Sequence, residues 1–375
     1  MKNFILVITL FCLSCGSHYD HSDVNYDIEV EKMVIDFGDT LVSPIFTSFS
    51  IQSSYENSSF IHTFLDRSRN LIITNIETGE FIKKININAD GGPNSTSGGI
   101  LDFFPVSDST FLIQSFPFFY FINQNGDVIK RHNLEDKMNK LFGDMYADNL
   151  YLSGVMSHSV KINKNKFVLQ VFRGDINLID NYPEYPLFIT VKIDNELNID
   201  LLPMEIYFPS KFKLEKTNSY AQNEKASYSV QNGYIIYGFS FSSSVFMYNL
   251  ETGLTSCLDL EIDNGTNFSP PDDNHPYSIS NKLFTAFGMP IVDFDSKLIY
   301  RFHTDVNHED PMESENFLAI FDFEGKKLIE SSLGKNRDRI LVRPFLFNGH
   351  LYVKPPFPSS ENEYLEFYKF KLVKR

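Results

Sequence analysis

The chain has 375 residues, 42% hydrophobic and 22% charged, which excludes disorder throughout its length. Its net charge of −15 argues against a general nucleic-acid binder, which needs basic surface to displace counterions. With 37 Phe, 19 Tyr and no Trp, the composition favours strands, and an all-β protein is predicted.

The chain opens with Met1-Lys2-Asn3 and an apolar run from Phe4 to Leu13. As a helix, that run rises about 15 Å, roughly half the hydrocarbon core, so it is too short to span a membrane. It fits the apolar region of a signal peptide. Leu13-Ser14-Cys15-Gly16 then resembles a bacterial lipobox, although Cys12 stands where Leu is usual. That resemblance implies a signal peptide over 1–14, lipidation of Cys15 and a flexible polar tether over 15–27. The alternative is a secretory peptide without lipid. A lipid anchor would make the membrane a partner through acyl chains alone. With Cys12 removed and Cys15 lipidated, Cys257 is left alone in the strand-like run TSCLDLEI, where a buried thiol is expected.

Residues 28–375 read as one domain built from a degenerate repeat. Five segments, 71–87, 120–134, 187–202, 245–262 and 317–333, each show an apolar strand, a tight polar turn and a second strand. Gly79, Gly126, Gly253 and Gly325 mark four of the turns, and Asp194-Asn195 marks the other. Further strand material precedes each pair, at 59–65, 110–116, 166–172, 233–240 and 297–303, and shorter strands lie before those. Residues 339–373 supply a sixth set. Four strands per unit describe a β-propeller of six blades, with seven blades or a β-sandwich pair as alternatives. The strand at 28–37 is expected to complete the last blade and close the ring. Long insertions are expected at 135–154, 174–186, 204–224, 263–282 and 304–315, the first with a short helix.

The lipobox, the length, the Phe/Tyr/Asn-rich style and the segment GGPNSTSGGILDFFPVSDSTFLI at 91–113 resemble the DUF4221 family of Bacteroidetes lipoproteins. The resemblance covers the mature chain. It implies a six-bladed, TolB- or NHL-like propeller in the cell envelope, on the outer membrane. It carries over no activity and no catalytic residue.

Several residues invite a chemical reading. Asp90 through Asn94 in the Gly-rich connector could offer backbone N–H groups to an anion, or simply join two blades. His303, Asp305 and His308 are ligand types suited to a structural metal, in a spacing that also suits a solvated loop. Pro270 through His275 is a second acidic, His-bearing stretch. Arg67, Arg173 and Arg301 fall near the second strands of three units. They could line a central funnel and bind an acidic ligand, or pair with Asp66, Asp175 and Asp305. No GxSxG elbow occurs. The sequence is read as a non-enzymatic, lipid-anchored scaffold without cofactor, binding an envelope protein or a glycan. The alternatives are an exported hydrolase or lyase acting on a glycan or peptide, and a small-ligand sensor.

Overall fold

The computed structural model describes residues 26–37, 46–52, 61–66, 69–75, 77–88, 92, 94–96, 99–100, 102–115, 117–143, 150–153, 157–158, 161–163, 165–173, 185–212, 225–269, 284–335, 344–353 and 364–374. Cys15 and the expected signal peptide lie outside these residues.

The chain begins with β1 (Tyr26–Asp36), β2 (Phe46–Gln52), β3 (Ile61–Asp66), β4 (Asn70–Asn75) and β5 (Glu80–Asn86). A second sheet follows, with β6 (Asp102–Ser107), β7 (Thr110–Ser115), β8 (Phe118–Asn123) and β9 (Val128–Asn133). Helix α1 (Leu134–Phe142) leads to β10 (Leu150–Ser153), β11 (Ser157–His158), β12 (Lys161–Asn163), β13 (Lys166–Arg173), β14 (Phe188–Ile193) and β15 (Ile199–Pro203). All of these strands but β11 form the third sheet. Strand β11 crosses to the fourth sheet and runs parallel to β16 (Ala226–Gln231), which β17 (Tyr234–Phe239), β18 (Val245–Asn249) and β19 (Thr255–Leu258) continue. The fifth sheet holds β20 (Thr285–Phe287), β21 (Ile291–Asp293), β22 (Leu298–Asp305), β23 (Glu315–Asp322) and β24 (Lys327–Lys335). The chain then returns through β25 (Phe345–Phe347), β26 (His350–Val353) and β27 (Tyr364–Lys374).

The arrangement is propeller-like and all-β, but the described residues form five blades. This corrects the expected six, and the alternative of seven. The reason lies in β1, which pairs antiparallel with β27 from Tyr26↔Lys374 to Asp36↔Tyr364. Its end also pairs in parallel with β5, through Asp36↔Glu80. The first and last expected units therefore share one eight-stranded sheet, in the order β2-β3-β4-β5-β1-β27-β26-β25. That sheet curves as a half-barrel, so the expected closed ring is corrected as well. Ile35, Phe37, Ile72, Phe345, Phe347, Tyr352 and Phe367 pack together as one cluster of this sheet.

The turn-marked strand pairs form where the repeat places them. A side-chain cap recurs at each turn. The carboxamide or carboxylate oxygen of Asn75, Asn123, Asp194, Asn249 and Asp322 accepts the backbone N–H two residues on, at 2.9, 2.9, 2.9, 2.8 and 3.0 Å. These Asx turns hold the chain reversal from the side-chain side. Gly126, at φ +84°, is confined further, because a Cβ there would lie 1.8 Å from the Asn86 carbonyl oxygen. In the turn without glycine, Leu197 takes the positive φ, rather than the Asp194-Asn195 pair.

Burial explains why simple alternation is rare. Strands β4, β6, β7 and β8 are buried nearly throughout, because neighbouring sheets cover both faces. Strands β5 and β9, each the last of its pair, mix exposed and half-buried positions, with Ile85 of β5 buried. Leu71, Ile73 and Ile85 pack on Phe103, Phe111, Ile113 and Tyr120 between the first two sheets. A larger cluster joins the second, third and fourth sheets, with Phe188 edge-on to Tyr228 at 4.8 Å. Helix α1 adds Leu134 and Met138 to it. Asn133 caps that helix by accepting the Glu135 N–H at 2.9 Å. No helix among the described residues is long and apolar enough to cross a membrane.

Candidate functional site

The junction of the fourth and fifth sheets concentrates buried polar groups. It is organised by Ser242-Ser243-Ser244, the segment between β17 and β18. Polar side chains here leave the backbone room to hydrogen-bond across the junction. The Phe287 N–H donates to the Ser240 carbonyl at 2.8 Å, and the Ser243 N–H to the Asn267 carbonyl at 2.9 Å.

Arg301 of β22 is fully buried on the inner side of this junction. Its guanidinium donates to the carbonyls of Gly288, of Phe239 at 3.1 Å and of Ser242 at 2.5 Å. It also sits over the Phe287 ring, 5.1 Å from the centroid. Burial pushes it down to about 9, so it still carries charge at neutral pH. Its fork ties two sheets together, with a geometry that a lysine ammonium lacks. Gly238 makes room, since a Cβ there would lie 3.1 and 3.3 Å from the two terminal nitrogens.

Two residues along β22, His303 is also buried, stacked on Phe317 with ring centroids 5.1 Å apart. Its Nε2 lies 3.0 Å from the Asn264 carbonyl and 3.5 Å from Glu330 Oε1. Glu330 of β24 accepts from the backbone N–H groups of Asp263 and Asn264, at 2.8 and 2.9 Å, and from the Asn264 amide at 2.9 Å. Burial opposes its charge. The bonds from His303, Asp263 and Asn264 prevail and hold the carboxyl far below the usual carboxylate range.

Beside this junction, on the fourth sheet, Lys211, Ser244, Cys257 and Asp259 meet from three segments. Lys211 Nζ donates to Ser244 Oγ at 3.1 Å and to Cys257 Sγ at 3.2 Å, and pairs closely with Asp259. Ser244 Oγ donates to Asp259 Oδ1 at 2.6 Å and accepts from Ser242 Oγ at 3.0 Å. Partial burial works against the Lys211 charge, but the bonds to Asp259 and Cys257 hold its ammonium above the ordinary range. Burial pushes the Cys257 thiol up, with Lys211 pulling the other way. Cys257 is exposed on β19, which corrects the expectation of a buried thiol. The last strand of this sheet turns its side chains outward.

The other sequence-selected residues lie apart. Asp305 ends β22 opposite Thr285 and Glu315 and is exposed, so Arg301 meets carbonyls rather than this acid. His308 is exposed beside the Phe284 ring, at 6.0 Å. His303, Asp305 and His308 therefore do not converge. Among the described residues, no group of three His, Cys, Asp or Glu side chains is arranged to hold a metal. Asn94 is exposed, and its carbonyl accepts the Val128 N–H at 3.0 Å, tying the connector to β9. Arg173 is the last residue of β13, opposite Leu150, whereas Arg301 lies midway along β22. Arg67, Asp90 and Pro270 through His275 lie outside the described residues. The sequence reading missed Lys211, Asp259 and Glu330. The Ser-rich run after Phe239 was a further visible signal of this junction, beside Arg301, His303 and Cys257.

Fold and junction together define an all-β, propeller-like protein with a polar interface between its fourth and fifth sheets. The chain belongs to the DUF4221 family, a domain of unknown function, whose model matches residues 25–332. It is similar to the crystal structure of a DUF4221 member from Bacteroides vulgatus. That similarity has a TM-score of 0.70 and 15% identity, over 94% of this chain and all of the other. BamB from Moraxella catarrhalis aligns with a TM-score of 0.41 and 9% identity, over 87% of this chain and 83% of that one. No curated protein matches the sequence.

Proposed function

We propose that this protein is a lipid-anchored scaffold of the bacterial cell envelope that binds a protein or glycan through the connections between its sheets. The observation that carries the reading is a set of large apolar side chains left exposed on the connections. Tyr207, Phe268, Phe284 and Met312 are 52%, 40%, 57% and 49% exposed, and all four lie in connections rather than strands. Val30, Val34, Ile82, Ile129, Leu202 and Tyr368 are exposed as well, on strands, while most apolar strand residues pack in clusters. Loops on a rigid frame are where recognition residues collect. The apolar run before Cys15 supports the anchor.

Photo-crosslinking in intact cells tests this. A crosslinking residue at Tyr207, Phe268, Phe284 or Met312 is expected to give discrete adducts. The same residue at Thr255 or Ser256, on the exposed outer strand β19, is expected to give none. Equal adducts at both sets would overturn the reading. Cys15→Ala is expected to abolish acyl labelling and move the protein out of the membrane fraction.

A further inference from the structure

We propose that Lys211 and Cys257 form an oxidation-sensitive pair that peroxide joins through a nitrogen–sulfur bond. Three observations converge on it. Lys211 Nζ approaches Cys257 Sγ to 3.2 Å. The thiol is exposed on β19, so a small oxidant reaches it. The lysine is held in place by Asp259, by Ser244 and by the rings of Phe212 and Phe246, whose centroids lie 5.0 and 5.2 Å from Nζ. The amine is therefore already seated against the sulfur before any chemistry begins.

The chemistry takes two steps. The Cys257 thiolate attacks one oxygen of hydrogen peroxide. An S–O bond forms, the O–O bond breaks, sulfur loses two electrons and the other oxygen leaves as hydroxide, which takes up the proton given up by the thiol and becomes water. The product is a sulfenic acid, which condenses with a nearby nitrogen to a sulfenamide. Here Lys211 gives up a proton to solvent, and the freed lone pair attacks sulfur. The N–S bond forms, the S–O bond breaks and the oxygen leaves as a second water, taking one more proton from nitrogen. One peroxide is consumed, and the protein loses two hydrogen atoms. Burial pushes the Cys257 thiol up, and the bonds to Asp259 and Cys257 hold the ammonium above its ordinary range, so both steps are expected to quicken toward alkaline pH.

The bond would tie the short 3-10 turn Ser210–Phe212 to the outer strand of the fourth sheet. That turn lies on the connection leaving the third sheet, so oxidation would lock a sheet-to-sheet connection. The scaffold reading is not needed for this inference.

The test is peroxide treatment of the purified full chain, followed by proteolytic mapping. The expected product is a joined peptide pair linking Lys211 to Cys257, lighter by two hydrogens than the free peptides and separated by a thiol reductant. It should be lost in Cys257→Ser and in Lys211→Arg, with folding checked by circular dichroism. Should either variant misfold, reductive methylation of the native protein's lysines before peroxide is expected to block the bond. Oxygen retained on Cys257 with Lys211 free would overturn the proposal. So would an oxygen-bridged pair, or a joined pair that survives methylation.

Discussion

The junction between the first two sheets and the junction between the fourth and fifth are built on different principles. The first is filled by aliphatic and aromatic side chains such as Leu71, Ile73, Phe103, Phe111 and Ile113. The second has an apolar cluster too, with Ile236, Val245, Phe287 and Ile299, but carries Arg301, His303 and Glu330 beside it. Apolar packing is non-directional and sets how closely two sheets approach. Directed bonds add a constraint on position, because the Arg301 fork reaches Phe239, Ser242 and Gly288 only in one alignment. The second junction is thus specified more narrowly, and it should respond to charge and pH where the first does not.

The largest effect is expected from emptying the apolar junction. Phe111→Ala should cost about 3–5 kcal/mol in denaturant unfolding, nearly independent of pH. Arg301→Met should cost about 3 kcal/mol, because three buried carbonyls lose their donor. Arg301→Lys should recover little of that, since one ammonium cannot span all three acceptors. Full rescue by lysine would show that charge, rather than the fork, holds the alignment.

The smallest and sharpest test concerns Glu330. Its folded carboxyl lies below the ordinary range, so its contribution is fully present above the unfolded value of about 4.3 and is lost as pH falls through the folded value. Glu330→Gln should therefore flatten the acid side of the stability curve below about pH 5. An unchanged slope in that variant would remove Glu330 as the source of the acid sensitivity of this junction.

Local chemistry made much of the strand framework legible. Phe- and Tyr-rich runs and turn glycines at 79, 126, 253 and 325 marked strand pairs that form where they were read. The Asx caps at Asn75, Asn123, Asp194, Asn249 and Asp322 belong to the same local grammar, since each bonds within two residues of itself. The junction site was legible only in single residues, Arg301, His303 and Cys257, and not in the partners they meet. Lys211 meets Cys257 across 46 positions, and Glu330 meets Asn264 across 66. No local pattern signals contacts at that range.

The number of blades shows where the boundary lies. Period, turn chemistry and strand propensity are short-range, so the residues alone determined an all-β chain of repeated, turn-marked strands. Which strands share a sheet depends on backbone N–H and C=O groups, and these look alike in every strand. Only the tertiary structure could place β1 between β27 and β5, merging two expected units into one eight-stranded sheet and leaving five sheets among the described residues. The same holds for Arg301. Its charge is written in the sequence, but its burial against three carbonyls follows from the packing of two sheets around it.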